Sequence, residues 1–354
     1  MAKLTLVALL RAMVDQDASD LHITVGSPPQ FRISGKLIKA KTETLNPESI
    51  RDLVYEIVSE QQKKMFESNH ELDFSFGIAD VARFRGNLFY QRGNMGAVFR
   101  KIPTVIPEFD TLQLPDVIKK IVRQPNGLFL VTGPTGSGKS TSLAAIIDYI
   151  NREDNGHILT FEDPIEFVHN HKNCVINQRE IGTDSHSFQD GLKHALRQDP
   201  DFILVGELRD LETIEMALTA AETGHMVFGT MHTNSAVATL ARVINVFPPH
   251  QQPQIRQLLA STLIGVMTQQ LLPNTGKSGR SAAIELMVPT TGIRNLIRED
   301  KAHQIYGAMQ AGQSGTGMQT MNQAIAELVR KGNVSKADAV AYSLLPDELL
   351  KMIP

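Results

Sequence analysis

The run Gly133-Pro134-Thr135-Gly136-Ser137-Gly138-Lys139-Ser140 carries the most specific chemistry in the chain. It matches G-x-x-x-x-G-K-[S/T], a loop whose backbone N–H groups wrap phosphate oxygens at φ values that side chains resist. Residues 128–132 read as an apolar strand before it and 139–151 as a helix after it. The helix N-terminus then adds its partial positive charge at the same spot. In such a loop Lys139 bridges the β- and γ-phosphates of ATP and the Ser140 hydroxyl holds Mg²⁺, with Thr141 beside it in the cradle. A glycine-rich turn with a chance Lys-Ser is the plainer reading, and it does not call for the flanking strand and helix.

Two acidic stations follow. Phe202-Ile203-Leu204-Val205-Gly206-Glu207 is an apolar strand ending in a carboxylate, the place of a Walker B acid. It ends in Glu where Asp is usual, so Glu207 is expected to reach Mg²⁺ partly through water. The earlier strand Ile158-Leu159-Thr160-Phe161 ends in Glu162-Asp163, and a carboxylate there can orient the attacking water or take its proton. Glu162 is therefore the candidate general base. Either acid alone is equally well a solvated strand-end carboxylate. His225 and His232 flank the strand 226–231 and could sense the γ-phosphate, although a lone strand-end histidine is more often structural.

Positioning these groups requires strands alternating with helices. Strands are expected over 128–132, 157–161, 174–178, 202–205 and 225–230, and helices over 139–151, 188–197 and 211–223. That alternation predicts an α/β fold with a mainly parallel sheet. Before it, residues 1–100 read as a small α+β domain. Its expected helices are an amphipathic first one (Leu6, Leu9, Leu10, Met13) and those at 47–56 and 60–67, and its strands lie near 21–25, 30–33, 71–76, 82–92 and 97–101. The stretch 102–115, with Pro103, Pro107 and Pro115, reads as a linker. After about 249 the pattern turns mainly helical. One helix is expected across 254–271, then a loop at 273–278, a strand at 282–287, and helices near 293–298, 303–311, 321–330 and 336–342.

Bulk properties narrow the class. A chain of 354 residues with 42% hydrophobic and 21% charged residues suits about two globular domains. A net charge of −3, without a Lys/Arg-rich run, weighs against a ring-shaped nucleic-acid translocase. The single cysteine, Cys174, excludes an internal disulfide framework and a four-cysteine zinc site, and a reduced cytosolic setting is expected. The N-terminal stretch lacks a signal-peptide cleavage site, and the longest near-apolar run, 258–267, is too short to span a bilayer. Any membrane contact is expected to go through a partner.

As a set, these motifs resemble those of the type II/IV secretion ATPases, over nearly the whole chain. Ala18-Ser19-Asp20-Leu21-His22-Ile23 and Gly26-Ser27-Pro28-Pro29 are similar to the family's N-terminal signature. Glu162-Asp163-Pro164-Ile165-Glu166 is similar to its Asp box, Gly206-Glu207-Leu208-Arg209-Asp210 to its Walker B segment. Thr223-Gly224-His225 through Met231-His232-Thr233-Asn234 is similar to its His box, which strengthens the nucleotide-facing reading of both histidines. The stretch 292–299 resembles the AIRNLIRE motif of the family's pilus-retraction members, with Gly292 in place of Ala; without the family it would read as an amphipathic surface helix. Assembly-type members usually carry a zinc site, which Cys174 alone cannot build.

The resemblance implies a PAS-like N-terminal α+β domain (1–101), the linker (102–115), a RecA-like P-loop ATPase core (116–272) and a mainly helical C-terminal region (273–354). It implies a homo-hexameric motor powering type IV pilus retraction and twitching motility, or an accessory retraction ATPase. That motor would dock through a platform protein on the cytoplasmic side of the inner-membrane pilus machine. In the ring, an N-terminal domain covers its neighbour's nucleotide. A P-loop site needs positive charge opposite the γ-phosphate, and an arginine supplied from outside contributes about 10³–10⁵ in rate. Arg83, Arg85 and Arg100 are the candidates, Arg83 and Arg85 alternating onto one strand face, unless all three simply line a solvated strand. Arg209, next to Glu207, is expected to link the core to the same interface, and residues 294–297 to couple hydrolysis to retraction.

Overall fold

Alternating burial along residues 71–102 explains the first sheet. Leu72 and Phe74, then Phe84 and Leu88, then Met95, Ala97 and Phe99 all point inward at a spacing of about two. The computed structural model describes residues 4–103, 105–276 and 279–353. Thr104 of the expected linker and Lys277 and Ser278 of the expected loop lie outside the described residues. Contacts divide the chain into two units, Met1–Val105 with Glu166–Val168, and Ile106–Ile165 with His169–Pro354.

The first unit contains helix α1 (Leu6–Asp15), strands β1 (Asp20–Ile23), β2 (Gln30–Ile33) and β3 (Lys36–Lys39), helices α2 (Pro47–Tyr55) and α3 (Glu60–Asn69), and strands β4 (Glu71–Ile78), β5 (Ala82–Gln91) and β6 (Asn94–Ile102). The sheet is antiparallel with order β3-β2-β1-β6-β5-β4. Helix α1 starts where Thr5 accepts the Ala8 N–H, and it buries Leu6, Leu9, Leu10 and Met13, the stripe its spacing predicts.

The second unit opens with α4 (Val117–Ile121), β7 (Gly127–Thr132), α5 (Lys139–Glu153), β8 (His157–Glu162), β9 (Val175–Glu180), α6 (Phe188–Ala195), β10 (Phe202–Val205), α7 (Leu211–Glu222), β11 (Met226–Met231) and α8 (Ala236–Asn245). It continues with α9 (Gln252–Thr262), β12 (Leu263–Pro273), β13 (Arg280–Met287), α10 (Thr291–Arg298), α11 (Ile305–Ala311), α12 (Gln313–Thr316), α13 (Met321–Arg330), α14 (Lys336–Tyr342) and α15 (Pro346–Met352). The sheet order is β13-β12-β7-β11-β10-β8-β9, parallel except for the β12–β13 pair. Strands buried on both faces are continuous apolar runs, as in β7 and β11. Side chains of α6 to α10 cover one face of the sheet and those of α4 and α5 the other.

The expected helix over 254–271 is corrected: it stops at Thr262, and the chain continues as strand β12 beside β7. A fully buried strand has no polar alternation, so its apolar residues merged with the helical stripe before it. Gly265 permits the close approach, because a Cβ there would stand 2.6 Å from the Phe129 ring. Strand β3 and helices α4, α8 and α15 are further elements that periodicity did not announce.

Candidate active site

Strands β7, β11, β10 and β8 are adjacent and parallel, so the loops leaving their C-terminal ends converge on one edge. That edge is where doubly wound sheets hold ligands. After β7 the chain turns sharply. Gly133 has φ 141°, and a Cβ there would collide with the Gln269 carbonyl oxygen of β12. Gly138 (φ 86°) caps the N-terminus of α5, and a Cβ there would stand 2.8 Å from Gln269 Nε2. Only glycine fits these two positions.

Lys139, the first residue of α5, is buried, and its Nζ donates to the carbonyls of Gly133 (2.9 Å) and Pro134 (3.0 Å). His232 Nδ1 lies 3.5 Å from the same ammonium, and His232 Nε2 is 3.3 Å from Glu207 Oε1. A neutral ring protonated at Nε2 satisfies both contacts, accepting from Lys139 and donating to Glu207. Arg209 meets both oxygens of Glu207, each at 2.6 Å, as a fork. Burial disfavours the Glu207 carboxylate, but the hydrogen bond and charge of Arg209, aided by His232, outweigh it and hold the carboxyl below its usual range. Burial pulls the Lys139 ammonium down, opposed by the charge of Glu207.

Glu162 closes β8 on the same edge. Its Oε1 accepts from Thr160 Oγ1 (2.7 Å) and Gln178 Nε2 (3.0 Å), and its Cα stands 3.2 Å from the place of a Cβ on Gly206. The buried Ser137 hydroxyl has no hydrogen-bond partner among the described residues, while Pro134, Thr135, Gly136 and Ser140 are exposed and Thr141 half-buried. An orphaned hydroxyl, inward-turning glycines and a helix N-terminus fit an anionic phosphate chain.

His225 does not join this group. It precedes β11, at the opposite end of a strand about 20 Å long, where its Nδ1 meets the Ala220 carbonyl at 3.1 Å. Its expected place beside the γ-phosphate is corrected, because a parallel strand carries its two ends to opposite edges of the sheet. In the first unit, Arg83 donates to Ser75 Oγ (3.0 Å), Arg85 pairs with Asp73 (3.7 Å), and Arg100 pairs with the buried Asp20 (2.8 Å). Arg85 and Arg100 face each other across β5 and β6.

Residues on β12 support the site and were hidden by the helical reading of that stretch. The buried Ser142 of α5 donates to Gln269 Oε1 (2.7 Å), and the hydroxyls of Thr132 and Thr268 meet at 2.8 Å beneath the loop. Arg280 Nη1 reaches the Gly136 carbonyl at 3.4 Å. Arg280 belongs to β13, and recognising β12 as a strand is the signal that would have exposed Thr268 and Gln269.

A family model described as "Type II/IV secretion system protein" matches residues 2–341. The chain belongs to this family. Within it, the chain is similar to the type IV pilus retractation ATPase PilT of Pseudomonas aeruginosa, 49% identical over 339 residues that cover 96% of this chain and 98% of that protein. It is 41% identical to the type IV pilus ATPase PilU of the same organism, over 98% of this chain and 90% of that protein. A crystal structure of the pilus retraction motor PilT with bound ADP matches with TM-score 0.93 and 48% identity, covering 98% of this chain and 99% of that one. The ATPase DotB of Legionella pneumophila matches with TM-score 0.78 and 30% identity, over 96% of each chain. The mixed α/β fold with a mostly parallel sheet is thus one this secretion-system family shares. Among the described residues no helix is long and apolar enough to cross a membrane.

Proposed function

We propose that this chain is an ATP-hydrolysing motor that powers type IV pilus retraction and hence twitching motility. The observation that carries the reading is the meeting of Lys139, Glu207 and His232 at one sheet edge beside the P-loop, in a chain similar to PilT over 96% of its length. Identity of 49% to PilT against 41% to PilU favours the principal retraction ATPase over the accessory one.

In this reading the backbone amides of residues 133–141 grip the phosphates of ATP, and the Lys139 ammonium leaves its carbonyl partners for the β- and γ-oxygens. Glu162 orients the attacking water and accepts its proton, with Thr160 and Gln178 holding the carboxylate in place. His232 bridges Lys139 and Glu207 and so registers the γ-phosphate, while Arg209 keeps Glu207 ionised. Ser140 and Glu207 would hold Mg²⁺, which supplies charge neutralisation on the β- and γ-phosphates when bound. The core is of the RecA-like type and the N-terminal unit of the PAS-like type. Six copies form a ring in which Arg83, Arg85 or Arg100 of one copy faces its neighbour's nucleotide. The ring works against a platform protein of the pilus machine on the cytoplasmic side of the inner membrane.

Purified protein with ATP and magnesium should release phosphate at steady state, and Lys139→Ala should abolish both binding and release. Deletion of the gene should abolish twitching while leaving cells piliated. Absence of phosphate release removes the ATPase reading, and loss of pili on deletion removes the retraction assignment.

A further inference from the structure

A buried carboxylate in the second unit takes no direct part in the site described above. Glu285, on β13, is 2% exposed. Its Oε1 accepts the Ala236 N–H at 2.6 Å and its Oε2 accepts the Met321 N–H at 3.2 Å. Both donors are first residues of ten-residue helices, α8 and α13. Their side-chain caps act elsewhere, Ser235 on the Ala238 N–H and Thr320 on the Gln323 N–H, so the first amide of each helix is left over. One carboxyl group satisfies both, and it lies between two positive helix ends. Burial raises the Glu285 carboxyl pKa, and the two N–H bonds oppose that.

Its place in the sheet connects it to the nucleotide. Glu285 pairs with Thr268 across β12–β13, and Thr268 pairs with Thr132, the last residue before the P-loop. On its other side, α8 follows His232 after only three residues, with the Thr233 hydroxyl 2.7 Å from that of Thr239. The start of α8 therefore sets where His232 stands against Lys139 and Glu207. The strand carrying Glu285 also pairs Leu286 with Gln319, just ahead of α13.

We propose that Glu285 is a positioning residue for hydrolysis: it holds the first turns of α8 and α13 together, so that the placement of His232 and of the C-terminal helices is set by one side chain. This rests on the motor reading above. The Glu285 oxygens are taken up by the Ala236 and Met321 amides, and its effect passes through His232. Grip on the phosphates, which belongs to residues 133–141, does not pass through it.

The test uses the full chain carrying Glu285→Gln, an isosteric change that keeps one acceptor and turns an N–H donor toward the other amide. Melting temperature, ATP dissociation constant, kcat and KM, and amide hydrogen exchange over α13 with and without a non-hydrolysable ATP analogue are measured. The expected result is a dissociation constant within about threefold of the parent and kcat lowered at least about tenfold. Exchange in α13 should respond to the analogue in the parent and stop responding in the variant, while α5 responds in both. A second variant, Ala236→Pro, keeps the carboxylate and deletes its donor. Proline suits a first helical position, and Ser235 before it is already extended (φ −158°, ψ 160°). It should reproduce the kcat loss. Parent-like kcat in both variants overturns the proposal, as does failure of both to fold, which would leave Glu285 a scaffold residue. An inactive parent chain sinks the motor reading and this inference with it, whereas an active parent with unaffected variants sinks the inference alone.

Discussion

Replacing Gln269 with leucine tests whether β12 is the floor of the nucleotide site. Gln269 is 3% exposed and Ser142 is 2% exposed, and the Ser142 hydroxyl donates to Gln269 Oε1 at 2.7 Å. Leucine has a similar volume, so the cavity contribution is small and the loss is dominated by a buried hydroxyl without an acceptor, about 1–3 kcal/mol. For a unit of this size each kcal/mol moves the melting temperature by about 2–4 °C, so the variant should melt about 2–12 °C lower. The Gln269 amide also lies against Gly138, the cap of α5, so ATP should bind several-fold more weakly in Gln269→Leu. Ser142→Ala leaves the partner amide unsatisfied instead. With both changes together neither polar group remains, and the pair should show a coupling of about 1 kcal/mol. Calorimetric melting of the parent, both single variants and the double variant, with ATP titrations alongside, measures all of this. Strict additivity together with parent-like ATP affinity would refute the assigned role of Gln269.

Three further outcomes are expected. Glu162→Gln should bind ATP normally and lose about 10²–10⁴ in kcat, read by phosphate release; normal turnover removes Glu162 as the base. Arg209→Ala should shift the acid limb of the kcat–pH profile upward: the Glu207 carboxyl is held below its ordinary 4.5, so its ionised form, and the stability linked to it, persists above that value and is lost as pH falls through the lowered one. Removing the guanidinium raises that lower limit, and an unmoved acid limb would contradict the pairing. On α10, Asn295 and Arg298 are exposed, whereas Ile297 is buried and Arg294 bonds the carbonyls of Pro289, Ala260 and Ser261. Asn295→Ala with Arg298→Ala should therefore spare hydrolysis and stop twitching, while Arg294→Ala should lower the melting temperature; surviving motility would deny the helix a coupling role.

The P-loop was legible because its chemistry is local. Glycines, lysine and hydroxyl lie within one turn, and backbone geometry dictates their spacing. That Glu162, Glu207 and His232 gather on one sheet edge was legible for a related reason, since each follows or ends an apolar strand and parallel strands end on one edge. The same pattern placed His225 wrongly, because a histidine beside a strand looks alike at either end and only the strand's direction tells which end faces the phosphates. Strand β12 escaped because a strand buried on both faces shows no alternation, and Leu263 to Met267 continued the apolar run of the helix before it.

What the amino-acid sequence determined by itself was the phosphate-binding chemistry, the α/β class and the membership of the secretion-system family, all of which reside in short contiguous stretches. Tertiary structure alone decided which distant side chains meet: Gln269 with Ser142, Thr268 with Thr132, and Glu285 with the first amides of α8 and α13. Those contacts join residues far apart in the chain, and they are set by the order in which strands assemble in the sheet, which no local periodicity encodes.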